Sequence, residues 1–354
     1  MSSSTARGNG TTYVDKHAID GGWTLGTQRF IRESGFDAVE ACAAEYCAGL
    51  LDPSTGKVRS DILDARDGCP LCGGAPTHWR FLWTKDGFDF YSCTACHAVF
   101  VAPILHAEWT FEMYVSSTIM RMYFEMMRHP TRDRFERAKY LYALQRLSDL
   151  KGWNSGRLLD IGCGTGRFLD VAIEAGWRAE GVEIETRCVE DARARGLTIY
   201  DRLFKASDFD TTKVNVISCW DVLEHVANPR GLVREMTAAL NPGGVLLISV
   251  PNVDSLAVRV LHQASTQFCG YSHINYFGVA TLRRLLQDAG LRIVHLESYI
   301  SEVYVVNAHL RALEPGCDES LLSFLTPDWV HGHVMGNKLL AIAAHPDTEA
   351  VPHE

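Results

Sequence analysis

The sequence has 354 residues and a formal net charge of −9, from 34 Lys and Arg against 43 Asp and Glu. This length exceeds the usual size of one domain, and 47% apolar with 22% charged residues is typical of a soluble globular protein and excludes a disordered or fibrous chain. The negative balance opposes non-specific attraction to phosphate backbones, so nucleic acid is a disfavoured partner.

The N-terminal residues, MSSSTARGNGTTYVDK, lack the apolar centre of a signal peptide. No stretch approaches the roughly 20 apolar residues that cross a bilayer. We therefore expect no membrane span and a cytoplasmic location. In that reducing compartment the eleven cysteines are expected to be thiols or metal ligands and not disulfides.

Residues 1–66 form a predicted N-terminal extension with one helix. Ser2–Thr12 is rich in Ser, Gly and Thr, and Phe36–Leu51 has apolar residues at helical spacing. Asp52 and Pro53 end that helix, and a linker is expected up to Asp67.

Residues 67–105 carry two CxxC pairs with 20 residues between them. This spacing predicts a tetrahedral structural zinc site, brought together by a β-hairpin that turns at Lys85–Gly87. A redox dithiol is the alternative for a CxxC motif, and His97 is an alternative ligand. The predicted zinc ligands are Cys69, Cys72, Cys93 and Cys96.

Residues 106–152 are predicted to form a helical lid or linker, because Met and aromatic residues recur at helical spacing. Ordinary core packing is the favoured interpretation of these residues, with a lid over a site as the alternative. They are Met113, Tyr114, Met120, Tyr123, Met126 and Met127.

Residues 153–345 alternate strands and helices, which predicts an α/β domain with a Rossmann-like, seven-stranded, mostly parallel sheet and helices on both faces. A short tail, 346–354, follows. The predicted strands are Arg157–Ile161, Ala179–Glu183, Leu197–Tyr200, Val214–Ser218, Val245–Val250, Arg292–Tyr299 and Lys338–Ala343.

A glycine-rich loop directly follows the first of these strands. Leu158–Ile161 leads into GCGTG at residues 162–166, and a helix starts near Arg167. Glycines let a ligand approach the backbone, and the helix N-terminus favours an anionic group. Glu183 ends the next strand, where a carboxylate can accept hydrogen bonds from both hydroxyls of a ribose. Asp160 is placed to hold the loop or to meet an ammonium group.

Four ordered segments, LLDIGCGTGRFL, GVEIE, ISCWDVLEHVANP and LNPGGVLLISVPN, resemble class I S-adenosylmethionine-dependent methyltransferases. The resemblance implies that the last strand is antiparallel and that S-adenosylmethionine is the cofactor. It assigns the methionine part to Gly162, Gly164 and Gly166, the ribose to Glu183, the adenine to Asp208, and the pocket lining to Trp220 and Asp221.

Candidate proton acceptors follow the fourth strand of this domain. Asp221, Glu224 and His225 have helical i, i+3 and i+4 spacing, which permits either a general base or a divalent metal clamp. The LEHV stretch is similar to one in ubiquinone-biosynthesis O-methyltransferases. His273 lies in an H-x-x-x-F segment similar to that of small-molecule methyltransferases with a zinc ribbon. We expect Asp221, His225 and His273 to be catalytic.

The expected function is methylation of a small molecule, most simply at oxygen, in secondary-metabolite, quinone or sugar biosynthesis. RNA methylation with the ribbon as a docking module is one alternative, opposed by the acidic charge. A peptide or carrier-bound substrate is the other. Homodimer formation is left open by the sequence.

Overall fold

The computed structural model describes Lys16, Ile19 and residues 35–209, 213–313 and 324–345. The predicted Ser2–Thr12 segment and the tail 346–354 lie outside these residues. The strands are β1 Leu63–Asp64, β2 Trp79–Lys85, β3 Phe88–Cys93, β4 Val99–Val101, β5 Ile104–Leu105, β6 Gly156–Ile161, β7 Trp177–Glu183, β8 Ile199–Asp201, β9 Val214–Trp220, β10 Leu240–Pro251, β11 Asn275–Tyr276, β12 Arg292–Tyr299 and β13 Lys338–Ala344.

Helices connect most of these strands. Asn228 caps one of them, since its side chain accepts the Gly231 N–H and Pro229 occupies the first helical position. The α-helices are α1 Phe36–Leu50, α2 Ala107–Ser116, α3 Thr118–Met127, α4 Pro130–Lys151, α5 Arg167–Glu174, α6 Thr186–Ala194, α7 Pro229–Ala239, α8 Leu256–Leu261, α9 Val279–Asp288, α10 Val303–Leu313 and α11 Pro327–Gly332.

The main sheet has seven strands in the order β12-β13-β10-β9-β6-β7-β8. Strands β10, β9, β6, β7 and β8 are parallel, and β13 runs antiparallel to both of its neighbours. The α/β class, the seven strands and the antiparallel last strand are thus confirmed. Because β13 is reversed, its first residue, Lys338, lies at the same edge as the carboxyl ends of the parallel strands.

Both faces of the main sheet are covered. Along β9, Val216 belongs to one buried apolar cluster and Ile217 to the other, as expected where side chains alternate. Tyr140 and Leu147 of α4 pack in the cluster of Val216. Phe100 of the CxxC segment packs in the cluster of Ile217. Helix α4 and the cysteine segment therefore lie on opposite faces of the sheet.

The CxxC segment forms a second sheet in the order β11-β4-β3-β2. The predicted hairpin is confirmed, since β2 pairs antiparallel with β3 around Asp86 and Gly87. The fourth strand, β11, comes from beyond residue 270 and pairs with β4. The cysteine module is thus joined to the main domain through β11.

Among the residues that the structure describes, no helix is both long and apolar enough to span a membrane.

Candidate active site

The glycine-rich loop joins β6 to α5 at the carboxyl edge of the main sheet. Gly162, Gly164 and Gly166 have φ angles of 67°, 53° and 74°, in the left-handed region that favours glycine. A Cβ on Gly162 would lie 2.6 Å from Val222 Cγ2, whereas a Cβ on Gly164 would meet no atom within 4 Å. The loop therefore leaves open space at Gly164, where a ligand can approach the backbone and the N-terminus of α5.

Glu183 lies at the end of β7, directly beside this loop. Its carboxylate accepts N–H bonds from Gly164 at 2.8 Å, Ile184 at 2.7 Å and Glu185 at 2.9 Å. Burial raises the pKa of Glu183, and the three backbone N–H groups oppose that rise. A carboxylate has about four acceptor positions, so capacity remains for a ribose hydroxyl.

Asp160 lies under the loop and is 2% exposed. Its Oδ1 accepts a 2.6 Å hydrogen bond from Ser218 Oγ, which links β6 to β9. Burial raises the pKa of Asp160 to about 8. The carboxyl group thus supports the strand from which the loop starts, and a cation near it would restore its charge.

Trp220 ends β9 within an aromatic group contributed by two helices. Its ring centroid lies 4.9 Å from that of Tyr140 in α4 and 5.1 Å from that of Phe168 in α5. The Lys139 ammonium is 5.3 Å from the centroid of the indole. The indole Nε1 is buried and has no hydrogen-bond partner among the described residues. An unpaired buried donor beside the open loop is a feature that a ligand can satisfy.

Asp221 follows Trp220 with a φ of 56°, a left-handed conformation uncommon for a residue with a side chain. Its Oδ1 accepts a 2.8 Å bond from Lys338 Nζ. Although burial alone would raise it, the ammonium groups of Lys338 and Lys139 lower the pKa of Asp221 to about 2. The structure thus shows Asp221 in an ion pair with Lys338, and its expected catalytic role stays a prediction.

His225 and His273 lie together, with ring centroids 4.8 Å apart. The carbonyl of Ser272 is 3.0 Å from His225 Nδ1, and that of Gln267 is 3.0 Å from His273 Nδ1. A carbonyl only accepts, so each Nδ1 carries the proton and each Nε2 keeps its lone pair. Burial lowers the pKa of His225 to about 4 and that of His273 well below its usual value. Both imidazoles are therefore neutral at pH 7.

Two further side chains complete the histidine cluster. The Tyr114 hydroxyl of α2 lies 2.8 Å from His225 Nδ1. Glu224 is 1% exposed, its carboxyl oxygens have no hydrogen-bond partner among the described residues, and burial raises its pKa to about 8. Ligand atoms of Glu224, His225 and His273 all lie within 4.8 Å of one another. The predicted group was Asp221, Glu224 and His225, whereas the structure brings His273 together with Glu224 and His225.

Asp208 lies in a short 3-10 helix, Ala206–Phe209, after β8. Its Oδ2 is 3.2 Å from Arg202 Nε in a partly exposed salt bridge. The assignment of Asp208 to the adenine stays a prediction.

The four predicted zinc ligands converge. Cys69 Sγ is 3.5 Å from Cys96 Sγ, Cys72 Sγ is 3.6 Å from Cys93 Sγ, and all four sulfur atoms lie within 4.8 Å of one another. Zinc with four sulfur ligands at about 2.3 Å requires sulfur atoms about 3.8 Å apart, so the geometry fits a tetrahedral ion. His97 is exposed and is not part of the cluster.

Sequence reasoning missed Lys338 as a residue of the site, and also the ion pairs of α4. Glu136 is buried between Arg132, whose Nε is 2.8 Å from Glu136 Oε1, and Lys139. Tyr114 was named in the helical segment, for which a lid over a site was the alternative interpretation. Lys338 could have been predicted from its position. It is the charged first residue of an apolar antiparallel strand, and such a residue lies at the ligand-binding edge of the sheet.

Comparisons with known proteins agree with this geometry. A family model described as a methyltransferase domain matches residues 121–296. A ubiquinone biosynthesis O-methyltransferase of Actinobacillus pleuropneumoniae is 33% identical over 122 residues, which cover 31% of this chain and 51% of that protein. The same enzyme of Haemophilus ducreyi is 29% identical over 146 residues, covering 36% and 62%. The chain thus spans between half and two thirds of the length of these relatives.

Among solved structures, magnesium protoporphyrin IX methyltransferase of Synechocystis PCC 6803 aligns with a TM-score of 0.47 and 14% identity, over 68% of this chain and all of that one. The family match covers the glycine loop, Glu183 and both histidines. With this match and the seven-stranded sheet, the chain belongs to the class I S-adenosylmethionine-dependent methyltransferases.

Proposed function

We propose that the protein transfers the methyl group of S-adenosylmethionine to an oxygen atom of a small molecule. The observation that carries this proposal is the meeting of two features at one edge of the main sheet. One is the open glycine loop beside Glu183, and the other is a pair of neutral imidazoles, His225 and His273, whose rings are 4.8 Å apart.

The donor side uses residues that fit the cofactor. The loop of Gly162, Gly164 and Gly166 holds the methionine part, and Glu183 accepts hydrogen bonds from the ribose. Trp220 lines the pocket with an unpaired indole N–H. When bound, S-adenosylmethionine supplies a methyl group on a sulfonium, which is reactive enough that the protein's main tasks are orientation and exclusion of water.

The acceptor side handles a proton. A hydroxyl acceptor loses its proton as its oxygen is methylated, and a neutral imidazole Nε2 can take that proton. The Nδ1 contacts with backbone carbonyls fix both rings in the form that keeps Nε2 unprotonated. The low pKa of each histidine keeps this form populated across the physiological range. Asp221 holds Lys338 and does not compete for the proton.

The cysteine cluster holds a structural zinc ion in this proposal. Four thiolates fill a tetrahedral shell, so the ion has no open position for an acceptor. Its contribution is to the folding of the module that packs on one face of the main sheet.

A small acceptor is favoured over RNA and over a carrier-bound or peptide substrate. The net charge of −9 disfavours RNA, and the two relatives described above are named for O-methylation in ubiquinone biosynthesis. Exposed Phe81 on the ribbon is the feature that would serve a carrier or peptide, yet its edge packs on Tyr91 at 5.8 Å as part of the hairpin.

The proposal is tested with S-adenosylmethionine labelled in the methyl group, offered with separate panels of hydroxylated aromatic compounds, sugars, total RNA and acyl-carrier proteins. We expect label in a small hydroxylated compound. With that acceptor, His273→Ala is expected to lower turnover at least tenfold while the affinity for S-adenosylhomocysteine stays within twofold. His295→Ala is the matched control, because that histidine lies on β12 and pairs with Glu297.

Label in RNA or in a carrier protein would contradict the small-molecule proposal and identify that class as the substrate. Turnover that requires added Mg²⁺ and stops with a chelator would replace the base by a metal at Glu224, His225 and His273. Wild-type turnover in His273→Ala would remove that residue from the catalytic set.

A further inference from the structure

The cysteine module contacts the segment that carries His273. Strand β11 begins two residues after His273 and pairs antiparallel with β4, with Asn275 opposite Phe100. The N–H of Val101 also donates to the carbonyl of Ile274 at 3.1 Å. One of the two histidines is therefore attached directly to the sheet of the module.

Arg66 lies where this module, the His273 segment and the loop after His225 meet. Its Nε donates to Val101 O at 2.8 Å, its Nη1 to Ala227 O at 3.1 Å, and its Nη2 to Ile274 O at 3.3 Å. The Nη2 atom is also 3.3 Å from Asn275 Oδ1. One planar guanidinium thus binds oxygens from three separate segments of the chain.

The opposing charge described near Arg66 is that of the Cys69 sulfur, which acts to raise the pKa of the guanidinium. Among the described residues no carboxylate forms an ion pair with it, and burial lowers its pKa to about 10, which still leaves it charged at pH 7. A desolvated cation is costly unless hydrogen bonds offset the lost water. Its stability here depends on the carbonyl oxygens staying where they are, so the charge and the loop positions are coupled.

Asn275 extends the connection to His225. Its Nδ2 donates to Leu223 O at 3.1 Å and to Val226 O at 2.8 Å, the residues on either side of Glu224 and His225. The backbone N–H of Asn275 donates to Glu224 O at 3.1 Å. The two histidine segments are therefore joined to each other and, through Arg66, to the cysteine module.

We propose that Arg66 is a positioning residue for methyl transfer, which sets the separation and orientation of His225 and His273 from the cysteine module. This inference rests on the proposed role of the two histidines as proton acceptors. Arg66 itself does not touch the reacting atoms. The chemistry that it governs is the burial of both imidazoles and the hydrogen bonds at their Nδ1 atoms.

The test uses the full-length, zinc-loaded protein and the variants Arg66→Met, Arg66→Lys and Arg80→Met. Methionine removes all donors but keeps an unbranched apolar side chain, and lysine keeps the charge without the planar fork. Arg80 is exposed on β2 of the same module and serves as the control. The readouts are the NMR titration of His225 and His273, and the affinity for S-adenosylhomocysteine by calorimetry.

In Arg66→Met we expect the titration of His225 to move at least one pH unit toward its ordinary value, because loosened segments admit water. Arg66→Lys should shift it less, and Arg80→Met should leave it unchanged. Affinity for S-adenosylhomocysteine should stay within twofold in all three. Once an acceptor is known, Arg66→Met should lower kcat at least tenfold with an unchanged KM for S-adenosylmethionine.

A folded Arg66→Met protein whose histidines titrate as in the wild type would overturn the inference. If Arg66→Met does not fold, the same result in Arg66→Lys would overturn it. Failure of the proposed function is a separate result, since it would appear in the wild-type protein as absent binding of S-adenosylhomocysteine.

Discussion

Replacing Glu183 with Gln tests the donor site at the residue that the glycine loop contacts most directly. The carboxylate accepts three backbone N–H groups at 2.7 to 2.9 Å. An amide offers one oxygen in place of two, so in either orientation its NH2 group faces at least one backbone N–H. The amide also keeps less acceptor capacity for the ribose hydroxyl, and losing that charge-assisted hydrogen bond to the ligand costs about 2 kcal/mol, which corresponds to a roughly 30-fold weaker affinity for S-adenosylhomocysteine.

Isothermal titration calorimetry with S-adenosylhomocysteine measures this effect, and thermal unfolding without ligand shows whether the variant is folded. Glu180→Gln is the matched control, because Glu180 lies three residues earlier on β7 and pairs with Arg157 at 2.7 Å, away from the loop. It should bind the ligand as the wild type does. A folded Glu183→Gln protein with wild-type affinity would refute the assignment of Glu183 to the ribose.

Three further outcomes follow from the site. The wild-type protein should contain about one zinc ion per chain by elemental analysis, and Cys93→Ser should retain less than half of it and unfold at lower temperature. Because the pKa of His225 is lowered to about 4 and that of Glu224 is raised to about 8, kcat/KM should stay level from about pH 7 down to about pH 5.5. The stability that neutral His225 contributes should be lost as pH falls from about 6.5 toward 4. An acid limb near pH 6.5 would contradict this. Lys338→Met should lower the free energy of unfolding by about 1–3 kcal/mol in urea titration, since it leaves Asp221 without its cation. Adding Asp221→Asn to that variant should recover much of the loss. Additive losses of stability in the double mutant would contradict the pairing.

The elements of the proposed donor site could be predicted from the sequence because they are local. Strand, glycine loop and helix follow one another within residues 156–174, and Glu183 ends the adjacent strand. Apolar runs identify strands buried on both faces, and glycines mark the turn, so pattern and structure coincide. The convergence of the four cysteines was predictable for a similar reason, since CxxC spacing constrains geometry by itself.

The acceptor half depended on contacts that no local pattern encodes. Lys338 meets Asp221 only because β13 inserts between β10 and β12 in the reverse direction. Helical spacing predicted that Asp221 lies beside Glu224 and His225. In the structure Asp221 has a left-handed φ, and its side chain binds Lys338. The third residue beside Glu224 and His225 is His273, which comes from a separate segment of the chain.

The proposed donor and acceptor parts of the site are built from different segments of the chain. The loop and Glu183 contact each other and the strands beneath them, whereas Tyr114 comes from α2 and His273 precedes β11. Helix α2 and the segment before β11, which is joined to the cysteine module, each send a residue to the proposed acceptor side. Substitutions in either segment can therefore reshape the acceptor pocket while donor binding persists, which is how one cofactor scaffold serves many substrates. Under the proposed function the cysteine module is a structural wall of the acceptor site, attached through Arg66 and β11, and a zinc ion bound there would act on the reaction through the position of His273.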